Sequence, residues 1–386
     1  MMTLLRSMLR VTGLLALACG FYGCTTIEWR LPFVRAQPTP RLAVAGDPHI
    51  TLFGELPGVR TASYSANSNV SLYQHTYPAE GADFDPDVDP LGERLVFAST
   101  RHSMQPDLYV QRVFGTAVTQ LTADPAADVQ PVFSPDGRRV AFASDRGGAW
   151  DIWVIGVDGS PPVQITDSPG DELHPSWSPD GTQLAYCRRP ANGGPWELWI
   201  TSVASGGRQR FIGYGLFPEW SPFGDTLVYQ RARERGSHWF GIWTIELIDG
   251  EPRYPTEVAS SSTGAFIVPT WSPDGLRIAF GAVPATPPGK GSAGPEEQRS
   301  DIWIVDREGG RRFRLSDGRG VSFSPVWAVT GRVFFTSRRG GIERIWSMAP
   351  GGDLPTPGLD AGDKVLSRLD DPQRPGAMKI RPASGT

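Results

Sequence analysis

The chain predicts an all-β fold: a six-bladed β-propeller of four-stranded antiparallel blades, closed by an N-terminal strand. Three observations predict it. A turn glycine recurs at Gly92, Gly137, Gly181, Gly224, Gly275 and Gly331, at intervals of 45, 44, 43, 51 and 56 residues. A short apolar strand follows each glycine, at 95–99, 140–144, 184–188, 227–231, 278–282 and 333–337. A third strand with an aliphatic-aromatic centre then recurs as Asp107-Leu-Tyr-Val, Asp151-Ile-Trp-Val, Glu197-Leu-Trp-Ile, Gly241-Ile-Trp-Thr, Asp301-Ile-Trp-Ile and Arg344-Ile-Trp-Ser. A period near 44 residues holds four strands of about 5–6 residues and their turns, which is one propeller blade.

Each element has a physical cause. In Ser178-Pro-Asp-Gly181 the proline presets φ at the first corner, the aspartate bonds back to local backbone, and the glycine supplies the positive φ that closes the bend. Trp177, just ahead of this turn, is a flat apolar side chain suited to packing between neighbouring sheets. Fourth strands are legible at 118–122 and 163–166, both ending in threonine. After Met348 no such strand follows, whereas 71–76 has the right character ahead of the first repeat. The segment near 69–76 is therefore expected to supply the outer strand of the last blade, which pairs the chain ends and removes an open edge.

The phrase Pro175-Ser-Trp-Ser-Pro-Asp-Gly181, the aliphatic strand after it, the Leu-Trp or Ile-Trp strand and the threonine-ending strand together resemble the TolB-type (WD40-like) propeller repeat. The resemblance covers residues 69–349. It implies the fold narrowly and function broadly, since this repeat occurs in Tol system proteins, in propeller domains of some serine peptidases and in some sugar-degrading enzymes. The chain departs from TolB in showing no αβ domain ahead of the propeller.

Residues 1–23 read as a lipoprotein-type signal peptide: Arg6 and Arg10 precede an apolar run from Val11 to Gly23, too short to span a bilayer. Cys24 is the expected lipid-accepting residue, with Cys19 as the alternative. Residues 24–41, with Pro32, Pro38 and Pro40, read as a tether; 42–349 as the propeller; 350–386, rich in Pro, Gly and charge, as a flexible tail. Residues 283–300 lengthen one inter-strand loop and account for the long repeat interval there. Neither cysteine is followed by a retention aspartate, so the resemblance implies the periplasmic face of a bacterial outer membrane. The remaining cysteine, Cys187, sits on a blade strand and is expected to be a small core residue.

The net charge is −4, and it becomes −6 once Arg6 and Arg10 leave with a signal that carries no acid. That balance argues against a nucleic-acid partner. Gly289-Lys-Gly-Ser-Ala-Gly294 matches a dinucleotide fingerprint but lies in a Pro-rich loop with no parallel β-α unit around it. There is no G-x-S-x-G elbow, and the histidines are scattered. Asp136, Asp180 and Asp274 are explained as turn residues rather than calcium ligands. No cofactor, no metal and no catalytic residue is expected.

The informative positions come from propeller geometry. The residue before each motif proline lies on the innermost strand, near one mouth of the axial channel. These residues are Asp85, Gln130, His174, Phe217, Val268 and Ser324, chemically varied beside uniform turns. Asp83, Asp128, Asp171 and Glu172, just upstream, are expected to make that mouth acidic. Arginines between second and third strands, among them Arg101, Arg146, Arg188 and Arg339, are expected to form a basic face away from it. The reading that follows is a non-enzymatic, membrane-tethered, TolB-like propeller that scaffolds protein contacts in the cell envelope. The resemblance implies a peptidoglycan-associated lipoprotein or a larger membrane complex as partner. The alternative is a propeller that binds or degrades a polysaccharide at a channel site around His174, Gln130 and Asp85.

Overall fold

The computed structural model describes residues 72–204, 207–232, 240–285, 299–318 and 320–350. They form six four-stranded antiparallel sheets. Blade 1 comprises Asp83–Val88, Arg94–Ser99, Asp107–Arg112 and Val118–Gln120, from the inner to the outer strand. Blade 2 comprises Asp128–Phe133, Arg139–Ser144, Asp151–Gly156 and Val163–Gln164. The inner strands of blades 3 to 6 are Asp171–Trp177, Leu216–Trp220, Gly264–Trp271 and Ser322–Trp327. Each inner strand touches those of the blades before and after it, and the last touches the first, so the ring is closed.

The expected clasp is present. Tyr73–Gln74 pairs antiparallel with Arg344–Met348 and completes blade 6. His75 locks this seam. Its Nδ1 lies 2.7 Å from the Val113 carbonyl in blade 1, and its Nε2 lies 2.7 Å from Ser347 Oγ in blade 6. A carbonyl only accepts, so Nδ1 carries the proton and Nε2 accepts from the serine.

Second strands are buried almost end to end, because neighbouring blades cover both faces. That is why they read as continuous apolar runs rather than as an alternation. Val96, Ala98 and Leu108 of blade 1 pack against Phe133, Val140, Phe142 and Ile155 of blade 2 in one cluster. Cys187 is fully buried in the corresponding strand of blade 3. Trp177 does lie between sheets: its indole N–H donates to Val132 O of blade 2 at 3.2 Å, and Arg139 lies 4.7 Å from its ring.

The turns act as read. Gly137 and Gly181 take φ of +66° and +67°, and their N–H groups donate to Ser134 O and Ser178 O at 2.8 Å. Asp136, Asp180 and Asp274 each accept from the serine hydroxyl two residues before and from the backbone N–H two residues on. Fourth strands are shorter than the sequence suggests. Thr122 and Thr166 fall beyond them, and their hydroxyls accept from Leu108 N and Ile152 N at 2.9 Å, tying the strand end back to the third strand.

Among the described residues no helix is long and apolar enough to cross a membrane. Cys19, Cys24, the tether, most of the 283–300 loop and nearly all of the 350–386 tail lie outside the described residues.

Candidate functional site: the axial funnel

Asp85, Gln130, His174, Phe217, Val268 and Ser324 share one unusual backbone state, with φ between +49° and +56°. Each sits at a break in the pairing of the first and second strands, and each is followed by a proline on the inner strand. A bulge of this kind turns the inner strand and re-aims one side chain per blade. Left-handed backbone is costly for an L-residue and most so for β-branched Val268. Six repeats of that strain around one axis mark the ring as a constructed feature.

The six residues line an open funnel of about 400 Å³ together with the prolines, the following aromatic residues and the Ser-Pro turns. Contacts run in series around it. Ser324 Oγ donates to Asp85 at 3.2 Å, the Gln130 backbone N–H donates to the Asp85 carboxylate, and the His174 N–H donates to Gln130 Oε1 at 2.9 Å. The His174 and Phe217 rings follow with centroids 3.6 Å apart. Val268 N–H is held by Gln230 Oε1 of blade 4 at 2.9 Å. The side chains of Ser324, Asp85, Gln130 and His174 thus each reach the next blade, and Gln230 makes the link between blades 4 and 5.

Two further lining residues escaped the sequence reading, Asp87 and Glu219. Each lies two positions after a left-handed residue, on the inner strands of blades 1 and 4, which are opposite in a six-membered ring. Asp87 accepts from Phe133 N at 2.6 Å. Glu219 accepts from Trp271 N at 2.9 Å and from Thr270 Oγ1 at 3.1 Å. The period of two along a strand is the signal that would have found them.

Burial dominates the electrostatics of the funnel. It raises the carboxyl of Asp85 to about 6, of Asp87 to about 7 and of Glu219 to about 8, against smaller opposing effects of their hydrogen bonds. Burial also lowers the His174 imidazole to about 3, so it is neutral. Near neutral pH the lining thus holds a neutral imidazole and a largely protonated Glu219. Among the described residues no three His, Cys, Asp or Glu side chains form a metal-binding group.

The expected polarity of the two faces is corrected. Asp83 and Asp128 do not tint the funnel mouth. They lie at the start of the inner strands, at the opposite end, and are fully buried. Arg101 donates to Asp83 at 2.9 Å, and Arg146 donates to Asp128 at 2.8 Å and to Asp124 at 2.8 Å. Arg188 pairs with Glu197, and Arg339 with Asp317. In blades 1 and 2 the antiparallel return of the second strand brings the loop arginine onto the first residue of its own blade, so acid and base neutralise each other at that end.

Residues 69–237 match the family described as TolB beta propeller domain. Among solved structures, a protein assigned as TolB from Agrobacterium tumefaciens superposes with a TM-score of 0.54 at 19% identity, covering 73% of this chain and 98% of that one. A gluconolactonase from Xanthomonas campestris gives 0.53 at 14% identity, covering 73% and 90%. An oligogalacturonate lyase from Vibrio parahaemolyticus gives 0.50 at 13% identity, covering 74% and 95%. At these identities the likeness is one of fold, shared by TolB and by enzymes alike. Residues 69–237 thus carry the TolB beta propeller domain match, and the described residues close as a six-bladed β-propeller with a strand clasp.

Proposed function

We propose that this protein is a non-enzymatic docking propeller of the bacterial cell envelope, which receives a segment of a partner protein in its axial funnel. The carrying observation is the ring of six left-handed residues. It presents different side chains on an otherwise repeated, rigid frame, and such a rim is pre-organised for recognition. A funnel of about 400 Å³ lies at the small end of the range for ligand pockets and fits a few side chains of an extended segment. His174 packs against Phe217 with ring centroids 3.6 Å apart and is neutral, which suits binding better than proton transfer by that imidazole.

The Tol-type repeat makes a peptidoglycan-associated lipoprotein the first partner to test. Lipidation at Cys24, or at Cys19, would hold the ring at the periplasmic face of the outer membrane. The test is a binding titration of the purified propeller with that lipoprotein's soluble domain, paired with in-cell photo-crosslinking from position 217. Loss of binding and of crosslinks on replacing Gln130, His174 and Phe217 with alanine supports the reading; recovery equal to the parent protein refutes it. Replacement of Cys24, then of Cys19, should release the protein from membranes.

A second reading rests on Asp87 and Glu219. A largely protonated Glu219 beside Trp271 also suits a carbohydrate. Calorimetric titration with oligosaccharides, including uronates, separates the two.

A further inference from the structure

The repeat provides an internal comparison at the start of each inner strand, far from the funnel. In blade 1 this position is Asp83, which receives Ser99 Oγ at 2.6 Å and the Arg101 guanidinium at 2.9 Å. In blade 2 it is Asp128, which receives Arg146 at 2.9 and 2.8 Å. The corresponding residues of blades 4, 5 and 6 are uncharged: Gly215, Phe266 and Ser322. Blade 3 alone breaks the pattern. Its residue is Glu172, paired in register with Arg188, and the place of Arg101 and Arg146 is taken by Pro190.

Glu172 is fully buried, and neither of its carboxylate oxygens has a hydrogen-bond partner of ordinary geometry. Arg188 reaches Glu172 through its charge, but its side-chain contacts are made elsewhere. It donates to Glu197 at 2.9 Å and lies 3.8 Å over the Trp199 ring. Across the blade interface stands Asp151, 2% exposed. Its Oδ2 accepts from Gln164 at 3.2 Å, while its Oδ1 has no partner. The two carboxyls lie close enough to share a proton, with the Thr166 and Ser168 hydroxyls beside Glu172 and exposed Asp167 close by. Burying facing carboxylates is strongly unfavourable without a compensating positive charge. Blades 1 and 2 supply that charge with arginine, and three other blades avoid the need with a neutral residue.

We propose that the Asp151–Glu172 pair, at the junction of blades 2 and 3, binds a hard divalent cation of the Ca²⁺ or Mg²⁺ class in place of the arginine found in blades 1 and 2. The donors offered by Asp151, Glu172, Thr166 and Ser168 are all oxygens, which favours a hard cation. With two buried carboxylates, hydroxyl, carbonyl and water oxygens complete the coordination, a pattern Mg²⁺ commonly takes. Asp167 marks the side from which the ion enters.

The test uses the full chain stripped with EDTA. Ca²⁺ or Mg²⁺ at about 100-fold excess over Kd should raise the melting temperature by several degrees. Glu172→Gln should abolish that rise, whereas Asp180→Asn, in an exposed turn, should preserve it. If Glu172→Gln does not fold, Tb³⁺ luminescence on the parent chain serves instead. Trp150, whose carbonyl accepts from Glu172 N at 2.6 Å, is the expected sensitiser, and Ca²⁺ should quench the emission by competition. No response to Ca²⁺ or Mg²⁺ in melting or in luminescence competition would overturn the proposal. So would a Glu172→Gln chain that keeps the full response. A parent chain indifferent to both ions and stabilised by Glu172→Gln would assign the pair to a shared proton instead, and would equally overturn it.

Discussion

Ser324 Oγ and the Asp85 carboxylate meet at 3.2 Å across the seam between the last and first blades, 239 residues apart in the chain. The same Asp85 accepts the backbone N–H of Gln130 in blade 2. One side chain thus links three blades, and it does so from a left-handed residue. Asp85→Ala should lower stability by roughly 1–3 kcal/mol through the donors left without an acceptor. Asp85→Asn should lower it less. Denaturant midpoints of the two variants check this; equal loss would mean that the hydrogen bonds do not matter.

The clasp gives the fold an acid-sensitive point. Burial lowers the His75 imidazole to about 4, and the charge of Arg332 adds to the effect. A group depressed in the folded state binds protons more readily when unfolded. Its stabilisation is therefore complete above about pH 6.5, the ordinary value, and is lost as the pH falls through about 4. The change is on the order of 3 kcal/mol. Urea midpoints at pH 7.5, 5.5 and 4.5 should fall steeply for the parent chain. Those of His75→Gln, destabilised at every pH, should fall less; parallel curves would exclude His75 as the source.

The funnel carboxyls titrate in the other sense. Glu219 is raised by burial to about 8, so its contribution is complete below about pH 4.5 and is lost as the pH rises through 8. Glu219→Gln keeps an oxygen to accept from Trp271 N and Thr270 Oγ1 while removing the charge. It should stabilise the fold by roughly 1–3 kcal/mol at pH 9 and change little at pH 5. Paired denaturation curves decide it; a destabilised variant at pH 9 would show that the glutamate is held ionised.

Val268 carries the heaviest conformational cost in the ring, because a β-branched residue at φ +49° is a genuine outlier. Val268→Asn should stabilise the protein by about 0.5–1.5 kcal/mol, since asparagine tolerates left-handed backbone and the position is only half-buried. Calorimetry of the variant tests this. A lower melting temperature would mean that the valine methyls contribute packing worth more than the strain.

Arg146 holds two carboxylates, one of them the fully buried Asp128. Arg146→Ala should cost about 3–5 kcal/mol, mostly by leaving that charge unpaired. Combining it with Asp128→Leu should recover most of the loss. A double variant no better than the single one would place the loss in packing of the arginine against Phe142 and Trp153 instead.

Much of this architecture can be read from one dimension. Turn glycines, apolar second strands and the Ile-Trp strands mark six blades because each rests on local chemistry repeated at a fixed interval. The clasp was legible from a missing strand after Met348. Position before the proline selects the six funnel residues, because the bulge geometry is the same in every blade. What the sequence hid is non-local. Asp83 and Arg101 are distant enough in sequence for the strand direction to be decisive, and the return of the second strand brings them together at the end opposite the funnel. Asp87 and Glu219 were missed because each sits in a motif that otherwise reads as turn chemistry. Their burial depends on all six blades at once. The outer strands of blades 4 and 5, Glu251–Ala259 and Arg312–Arg314, lack the threonine ending that marked the others.

The His75–Ser347 contact spans 272 residues, so the first strand among the described residues waits for a mate made near the other end of the ring. Until Arg344–Met348 has been synthesised and delivered, blade 6 cannot be finished and the circle stays open. Delivery of that strand is thus the event that licenses closure, and a chain cut short before it leaves Tyr73–Gln74 without a partner and blade 6 unfinished.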